Sequence, residues 1–252
     1  MQPNCDEQEE VVIEQTKPFQ INKWQVTELY KLVKANGGSV GIDNQSQQDF
    51  EQNLKGNLYK IWNRLSSGSY MPPPVKGVAI PKKSGGERLL GIPTVSDRIA
   101  QMTVLLSFEH RVEGHFLNDS YDYRPKKSAL DAIAITKNRC WRYDWCLEFD
   151  IKGLFDNIPQ HLLLKAVDKH CSDEWVKLYT RRWLTAPMQL PDGQLQQRSK
   201  GTPQGGVVSP VLANLFLHYM FDKWLTKHYT HIPWCRYSDD GLVHCRSMKQ
   251  AQ

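Results

Sequence analysis

The chain has 252 residues, of which 40% are hydrophobic and 23% charged, so it can bury a sizeable core. Its net charge of +5 and isoelectric point near 8.8 favour a polyanionic partner, although many soluble enzymes are as basic. The six cysteines form no Cys-x-x-Cys pair and no ordered Cys/His spacing, which argues against a zinc site and for reduced thiols. The N-terminus does not resemble a signal peptide, and no apolar run reaches about 18 residues. We therefore expect a soluble cytoplasmic protein without a membrane partner.

The first predicted elements are a polar arm and two helices. Residues 1–20 lack a sustained apolar period and predict a mobile arm. A helix begins near Lys23 and stops at the glycine pair that starts with Gly37. A second helix carries Phe50 and ends before Gly68, because the prolines that follow cannot continue it. Basic and aromatic residues alternate here, which is typical both of solvated amphipathic helices and of nucleic-acid surfaces.

Two strands, 75–80 and 88–92, are predicted next, joined by a loop rich in glycine and lysine. The loop carries Lys82 and Lys83, and Arg88 begins the return strand. Such a loop can clamp phosphate groups, because its cations and backbone N–H groups converge on one point. The same composition also suits any exposed hairpin tip, so the residues alone leave both interpretations open.

Two further helices have recognisable starts. Thr94 or Ser96 can cap a helix that follows the second strand. Ser128 with Asp131 three residues later matches a capping box for the next helix. Between these helices lies an aromatic and basic loop, 120–127.

Two segments end strands on acidic residues. Trp145–Asp150 is predicted to be a buried strand that ends in an acid, and 234–245 a hairpin whose turn contains Asp239, Asp240 and Gly241. Adjacent carboxylates repel by roughly 4 kcal/mol at ~4 Å, so water or a cation must neutralise them. A solvated pair of turn aspartates is one interpretation. If the strand and the hairpin are neighbours in one sheet, three carboxylates converge, as Mg²⁺-dependent nucleotidyl transfer requires.

Helices and a loop connect these two segments. Pro159 is predicted to open a helix at its first position, and 172–185 to form another. A turn at 191–193 joins two short strands. The loop 200–210 is predicted to be flexible, with two glycines that let a ligand approach the backbone, and Ser209 to start a long helix.

Three ordered motifs resemble the central motifs of reverse transcriptases. They are Phe149-Asp150 followed by Phe155, Gly201-Thr-Pro-Gln204-Gly-Gly, and Tyr237-Ser-Asp-Asp240. The segments 58–70, 80–83, 88–94, 97–101 and 120–125 resemble the finger motifs of group II intron-encoded reverse transcriptases. The similarity runs from about residue 36 to the last residue. It implies an α+β right-hand polymerase fold, in which helices pack on an antiparallel palm sheet. It also implies an N-terminal arm and first helix, 1–35, before a fingers-and-palm domain, 36–252.

The resemblance implies RNA-directed DNA polymerisation with two Mg²⁺ ions, with Mn²⁺ as the alternative cation. Asp150 and Asp239 match the two metal-bridging carboxylates, and Asp240 matches the third acid of the site. Ile151 is a further implied metal ligand. The partners implied are an RNA template, most simply intron RNA, a DNA primer and dNTPs.

The resemblance also implies a nucleotide subsite. Phe155 falls where the family keeps an aromatic gate against the ribose 2′-hydroxyl, which favours deoxynucleotides. Gln204 matches a residue near the incoming sugar and the templating pair. Lys82 or Lys83, together with Arg88, matches the triphosphate clamp.

The chain departs from the common family pattern in small ways. Ser238 stands where alanine is commonest, and Tyr123 where many relatives have phenylalanine. Relatives continue beyond the hairpin with a helical thumb and an RNA-binding maturase segment, so we expect a fingers-and-palm portion with the thumb absent. The alternative function is a non-catalytic RNA-binding maturase fragment that aids intron splicing. The natural RNA template and the oligomeric state stay open.

Overall fold

The computed structural model describes residues 17–82 and 85–252, so most of the predicted arm and Lys83 lie outside the described residues. The described residues mix helices with two sheets, which confirms the predicted α+β class. The elements in chain order are α1 (Lys23–Ala35), α2 (Gln47–Glu51), α3 (Leu54–Ser66), β1 (Val75–Pro81), β2 (Glu87–Ile92), α4 (Val95–Glu113), α5 (Ala129–Cys140), β3 (Trp145–Asp150), α6 (Leu154–Asn157), α7 (Gln160–His170), α8 (Glu174–Thr185), β4 (Met188–Gln189), β5 (Leu195–Gln196), α9 (Ser209–Leu217), a π-helical segment (His218–Asp222), α10 (Lys223–His228), β6 (Trp234–Tyr237), β7 (Asp240–Cys245) and α11 (Met248–Ala251).

Local capping signals start several of these helices. The Thr94 side chain accepts a hydrogen bond from the backbone nitrogen of Asp97, so Thr94 and not Ser96 caps α4. The capping box of Ser128 and Asp131 starts α5 as predicted. Pro159 was expected at the first helical position, but it is the N-cap of α7, and the helix itself begins at Gln160.

The predicted second helix is interrupted. Asn53 has φ −132° and ψ 50°, which is not helical, so the segment divides into α2 and α3. The amide of Asn57 donates to the carbonyl oxygen of Phe50 over 2.9 Å, which supplies a hydrogen bond across the break. Phe50, in the last turn before the break, is fully buried.

The strands form two separate sheets. The first has the order β2-β1-β4-β5, and the second the order β3-β7-β6. Every pair in the second sheet is antiparallel, as expected of the palm sheet. The sequence did not predict the parallel pairing of β1 with β4 in the first sheet. Strand β3 was predicted to be buried, but it lies at an edge and most of its residues are exposed.

One large hydrophobic core joins the helices. Most of its buried residues come from α1, α3, α4, α7, α8 and α9. Asp97, a buried acid of α4, connects this helix to α8 and to the segment after α3. It accepts hydrogen bonds from Tyr70 (2.8 Å), Trp183 (2.7 Å) and, within α4, Gln101 (2.8 Å). A buried carboxylate is tolerated when it is hydrogen-bonded in this way. Helix α1 packs into the same core as the other helices. The boundary at residue 35, between the N-terminal arm with its first helix and the fingers-and-palm domain, stays a prediction.

The described cysteines and helices bear on two further expectations. Cys140, Cys146, Cys171, Cys235 and Cys245 carry free thiols, as predicted. Within 17–82 and 85–252, no helix has both the length and the apolar character needed to cross a bilayer.

His218 gives the fold a dependence on pH. It is fully buried, and neither ring nitrogen has a hydrogen-bond partner among the described residues. Burial, followed by the nearby positive charges of Lys223, His170, His115 and Arg236, lowers the pKa of His218 from 6.5 to about 4. The folded protein therefore holds the neutral ring, whereas the unfolded chain takes up a proton below pH 6.5.

We expect His218 to destabilise the fold at acid pH. Its contribution is fully present above pH 6.5 and is lost as the pH falls towards 4, by up to about 3 kcal/mol. Urea unfolding at pH 7.5 and at pH 4.5 measures this loss in the wild type and in His218→Phe, which cannot titrate. The variant should lose less stability on acidification than the wild type. An identical loss in both proteins would contradict the assignment.

Candidate active site

Strands β3 and β7 bring the predicted acids together. They pair antiparallel, with Asp150 directly opposite Asp240. The backbone nitrogen of Ile151 donates to the carbonyl oxygen of Asp239 over 3.0 Å. The condition that the sequence left open, that the strand and the hairpin are neighbours in one sheet, is therefore met. Three carboxylates lie at one end of this sheet.

The turn between β6 and β7 is tighter than the sequence suggested. Tyr237 pairs with Asp240, so only Ser238 and Asp239 form the loop. Ser238 has a left-handed φ of 55°, the conformation that hairpin turns usually give to glycine or asparagine. Gly241 was expected in the turn but lies within β7, where a Cβ would overlap the ring of Phe149. The glycine is thus required by packing, and the turn is held by other contacts.

A buried arginine holds this turn from beneath. Arg236 is completely buried and forms a two-pronged ion pair with Asp222, with both N–O distances 2.8 Å. Its remaining N–H groups donate to the Asn214 side chain (3.1 Å), the Ser238 carbonyl (2.9 Å) and the Ser120 hydroxyl (2.8 Å). Sequence analysis did not single out Arg236. The available signal was one charged residue in an otherwise apolar and aromatic strand.

The acids form a concentration of negative charge. Partial burial, and then the charges of three acidic neighbours, raise the pKa of Asp240. These neighbours are Asp239, Asp150 and Glu148. In the part of the chain that the structure describes, no lysine, arginine or histidine forms an ion pair with Asp150, Asp239 or Asp240. The cluster therefore requires a cation or water for neutralisation.

The donor chemistry of this cluster fits Mg²⁺. No three His, Cys, Asp or Glu side chains of the described residues enclose a metal position. Mg²⁺ does not need such an enclosure, because it commonly binds one or two carboxylates and completes its shell with water and substrate phosphates. Asp150 and Asp239 can provide carboxylate oxygens, while Ile151 can provide only a main-chain oxygen. A divalent cation site open to the substrate is consistent with these donors.

A cavity of about 460 Å³ lies beside the acids and gathers most of the predicted nucleotide residues. Its walls include Arg88, Phe155, Gln204, Asp239 and Asp240. Lys82 lies exposed at the tip of the β1–β2 hairpin and does not line the cavity. Lys83 lies outside the described residues. The cavity thus combines a cation, an aromatic ring and an amide with the acids.

The glycine-rich loop is docked between two elements. The backbone nitrogen of Gly91 in β2 donates to the carbonyl oxygen of Gln204 over 2.6 Å, and the Thr202 nitrogen donates to the Phe155 carbonyl over 2.7 Å. Gly205 has φ 103°, and a Cβ there would overlap the Gly91 carbonyl oxygen. The loop was expected to be flexible, but these hydrogen bonds fix Gln204 relative to Phe155. Gly205 lets the loop backbone pack against the backbone of β2, and both Gly205 and Gly206 line the cavity. The expectation that two glycines let a ligand approach the backbone stays a prediction.

The chain is similar to known proteins over most of its length. The sequence model of the family described as "Reverse transcriptase (RNA-dependent DNA polymerase)" matches residues 80–252. "Protein YkfC" of Escherichia coli is 36% identical over 195 residues, which are 75% of this chain and 50% of that protein. "Group II intron-encoded protein LtrA" of Lactococcus lactis subsp. cremoris is 34% identical over 200 residues, which are 78% of this chain and 32% of that protein. The chain thus spans half or less of these relatives' length.

A solved structure shares the fold. A chain of the "Partial Cas6-RT-Cas1--Cas2 complex" superposes with a TM-score of 0.54 at 22% sequence identity. The match covers 89% of this chain and 38% of that chain. At this identity the likeness concerns the fold alone.

Proposed function

This chain belongs to the reverse transcriptase family, and from that membership we propose that it is the catalytic portion of an RNA-directed DNA polymerase. The expected reverse transcriptase fold is confirmed by the family match and by the structural likeness. The observation that carries the proposal is the pairing of Asp150 with Asp240 next to the turn residue Asp239. Two of these unneutralised acids, Asp239 and Asp240, border a cavity of a size that suits a small ligand.

The proposed reaction joins a dNTP to the 3′-hydroxyl of a DNA primer on an RNA template. Bound Mg²⁺ would supply Lewis acidity towards the attacking hydroxyl and the leaving pyrophosphate, and Mn²⁺ is a possible substitute. Asp150 and Asp239 would hold the cations, with the main-chain oxygen of Ile151 as a further donor. Asp240 adds negative charge beside them, and its raised pKa follows from this crowding.

The residues around the cavity position the nucleotide. Arg88 presents a guanidinium group to the triphosphate, where two-pronged hydrogen bonds to phosphate are strong. Lys82, at the tip of the same hairpin, is a further candidate cation, and the sequence also offers Lys83. Phe155 lies under the sugar and excludes a 2′-hydroxyl by its bulk. Gln204, fixed to β2 through its carbonyl, borders the sugar and the templating pair.

The natural context that we propose is a group II intron. The similarity to an intron-encoded protein supports intron RNA as the template and intron mobility as the setting. The net charge of +5 is consistent with a nucleic-acid partner.

Primer extension tests this function. The full-length protein is incubated with Mg²⁺, dNTPs and a DNA primer annealed to RNA, and primer growth is followed on a denaturing gel. We expect extension that stops when the cation is chelated and resumes when it is restored. Failure of the metal-loaded protein to extend any primer would sink the proposal.

A second candidate function is RNA binding that assists intron splicing. A basic and aromatic surface on α1 and α3 favours it, because Lys23 lies 5.3 Å from the Tyr59 ring centroid and Tyr59 is 48% exposed. Exposed aromatic rings beside cations form generic stacking sites for single-stranded nucleic acid.

We expect Tyr59→Ala to weaken binding to intron RNA by roughly five- to tenfold, the loss of about one stacked base. A gel-shift titration at fixed salt measures this effect. Leu195→Ala, an exposed apolar change on β5, is the control and should leave RNA affinity unchanged. Unchanged RNA affinity in Tyr59→Ala would remove α3 from the binding surface.

A further inference from the structure

The loop 120–127 is held rigidly in front of the cavity. Arg124 donates to the carbonyl oxygens of Leu117 (2.6 Å) and Ser120 (2.7 Å) and forms an ion pair with Glu113 (2.7 Å). The amide of Asn214 in α9 donates to the Asp122 carbonyl over 2.6 Å. These contacts surround Tyr123, so its backbone is fixed on both sides.

The Tyr123 ring contacts Phe155, the residue predicted to exclude the ribose 2′-hydroxyl. Its backbone has a left-handed φ of 54°, which is uncommon outside glycine and asparagine. The Tyr123 and Phe155 ring centroids lie 6.4 Å apart at an interplanar angle of 86°, an edge-to-face contact. Both rings line the same cavity as Asp239.

Phe155 depends on neighbours for its orientation. The helix that carries it, α6, has only four residues, and Phe155 is only partly buried. Its backbone is fixed through the bond from Thr202, but that bond does not restrain the ring torsion. Terminal ring torsions of phenylalanine are broad, so packing has to select the ring plane.

We propose that Tyr123 is a positioning residue for sugar selectivity, which holds the Phe155 ring in the plane that excludes a ribose 2′-hydroxyl. This inference rests on the proposed polymerase function. The contact with the Tyr123 ring limits the tilt of the Phe155 ring, and the anchored loop prevents Tyr123 from yielding. Since the ring makes the contact, phenylalanine at position 123 should preserve it.

Fluorine NMR tests the contact without requiring catalysis. 4-Fluorophenylalanine is placed at position 155, and its resonance is compared among variants at position 123. We expect Tyr123→Ala to shift or broaden the resonance and Tyr123→Phe to leave it close to wild type. Tyr229→Ala is the matched control, because Tyr229 is also 46% exposed and contacts an aromatic ring, Trp224, away from the cavity. A resonance unchanged by Tyr123→Ala would overturn the contact.

Single-nucleotide incorporation tests the consequence. The ratio of kcat/KM for a ribonucleotide to that for the matching deoxynucleotide should rise between about two- and tenfold in Tyr123→Ala, the range expected from loss of one edge-to-face contact. Tyr123→Phe and Tyr229→Ala should keep the wild-type ratio, whereas Phe155→Ala should raise it further. A general loss of stability would not change this ratio.

The outcomes separate the two proposals. Normal deoxynucleotide incorporation with an unchanged ratio in Tyr123→Ala would overturn the role of Tyr123 alone. If the wild type incorporates no nucleotide, the polymerase function fails and the selectivity role fails with it. The fluorine measurement then still decides whether the two rings are in contact.

Discussion

Asp239→Asn is expected to abolish primer extension, by roughly a thousandfold or more, which corresponds to about 4 kcal/mol in the activation barrier. The amide keeps the size of the carboxylate but removes its charge, so a cation at this position loses a ligand. Asp239 lies at the tip of the turn, and its own carbonyl is held by the Ile151 nitrogen over 3.0 Å. The substitution should therefore leave the backbone in place, and primer extension rates in Mg²⁺ measure the loss.

RNA binding separates a catalytic role from a structural one. The affinity of Asp239→Asn for the template, measured by gel shift, should stay within about twofold of wild type. Loss of a template contact would change the affinity by more than this. Glu148→Gln is the matched control, because Glu148 also adds negative charge near Asp240 but lies two residues before Asp150. It should retain most of the extension rate. Parallel loss of binding and extension in Asp239→Asn would show that this acid is structural.

Arg236→Ala is expected to destabilise the fold by about 3–5 kcal/mol, the cost of leaving a buried charge without its partner. Asp222 is completely buried and would lose both of its 2.8 Å bonds. The Ser238 carbonyl and the Ser120 hydroxyl would lose their donor as well. Urea unfolding followed by circular dichroism measures the change in unfolding free energy.

Two further variants make this result interpretable. Lys31→Ala removes an ion pair in which both side chains are 66% exposed, and it should change the unfolding free energy by no more than about 0.5 kcal/mol. The double variant Arg236→Met with Asp222→Leu removes both buried charges and should recover part of the lost stability. If Arg236→Ala costs no more than Lys31→Ala, the buried pair does not support the hairpin.

Arg236 also connects stability to the candidate site. Its bond to the Ser238 carbonyl is one of the contacts that hold the turn carrying Asp239. Arg236→Lys keeps the charge but loses the planar fork that contacts four groups at once. We therefore expect Arg236→Lys to lower the primer-extension rate even under conditions where the variant is fully folded. Comparison of extension rates at a temperature where both proteins are folded tests this.

Misplaced features show where sequence reasoning failed. Strand β3 was predicted to be buried because its residues are largely apolar, yet Trp145 and Leu147 are each 44% exposed. Apolar composition indicates strand propensity, but the position of a strand within its sheet depends on the rest of the fold. Gly241 was assigned to the turn because glycine after aspartate is a common hairpin signal, whereas in the structure it admits the Phe149 ring from the neighbouring strand.

Features that depend on near neighbours and on ordered motifs could be predicted without the structure. Hydrogen bonds within a few residues define the cap at Thr94 and the capping box at Ser128, so both could be read directly. Motif order indicated the reverse transcriptase family and the three acids. Which groups come into contact depends on how the elements pack. The pairing of Asp150 with Asp240 joins residues far apart in sequence, and no local preference specifies it. The Arg236 network and the contact of Tyr123 with Phe155 likewise arise when separate elements pack, because packing brings distant side chains within bonding distance.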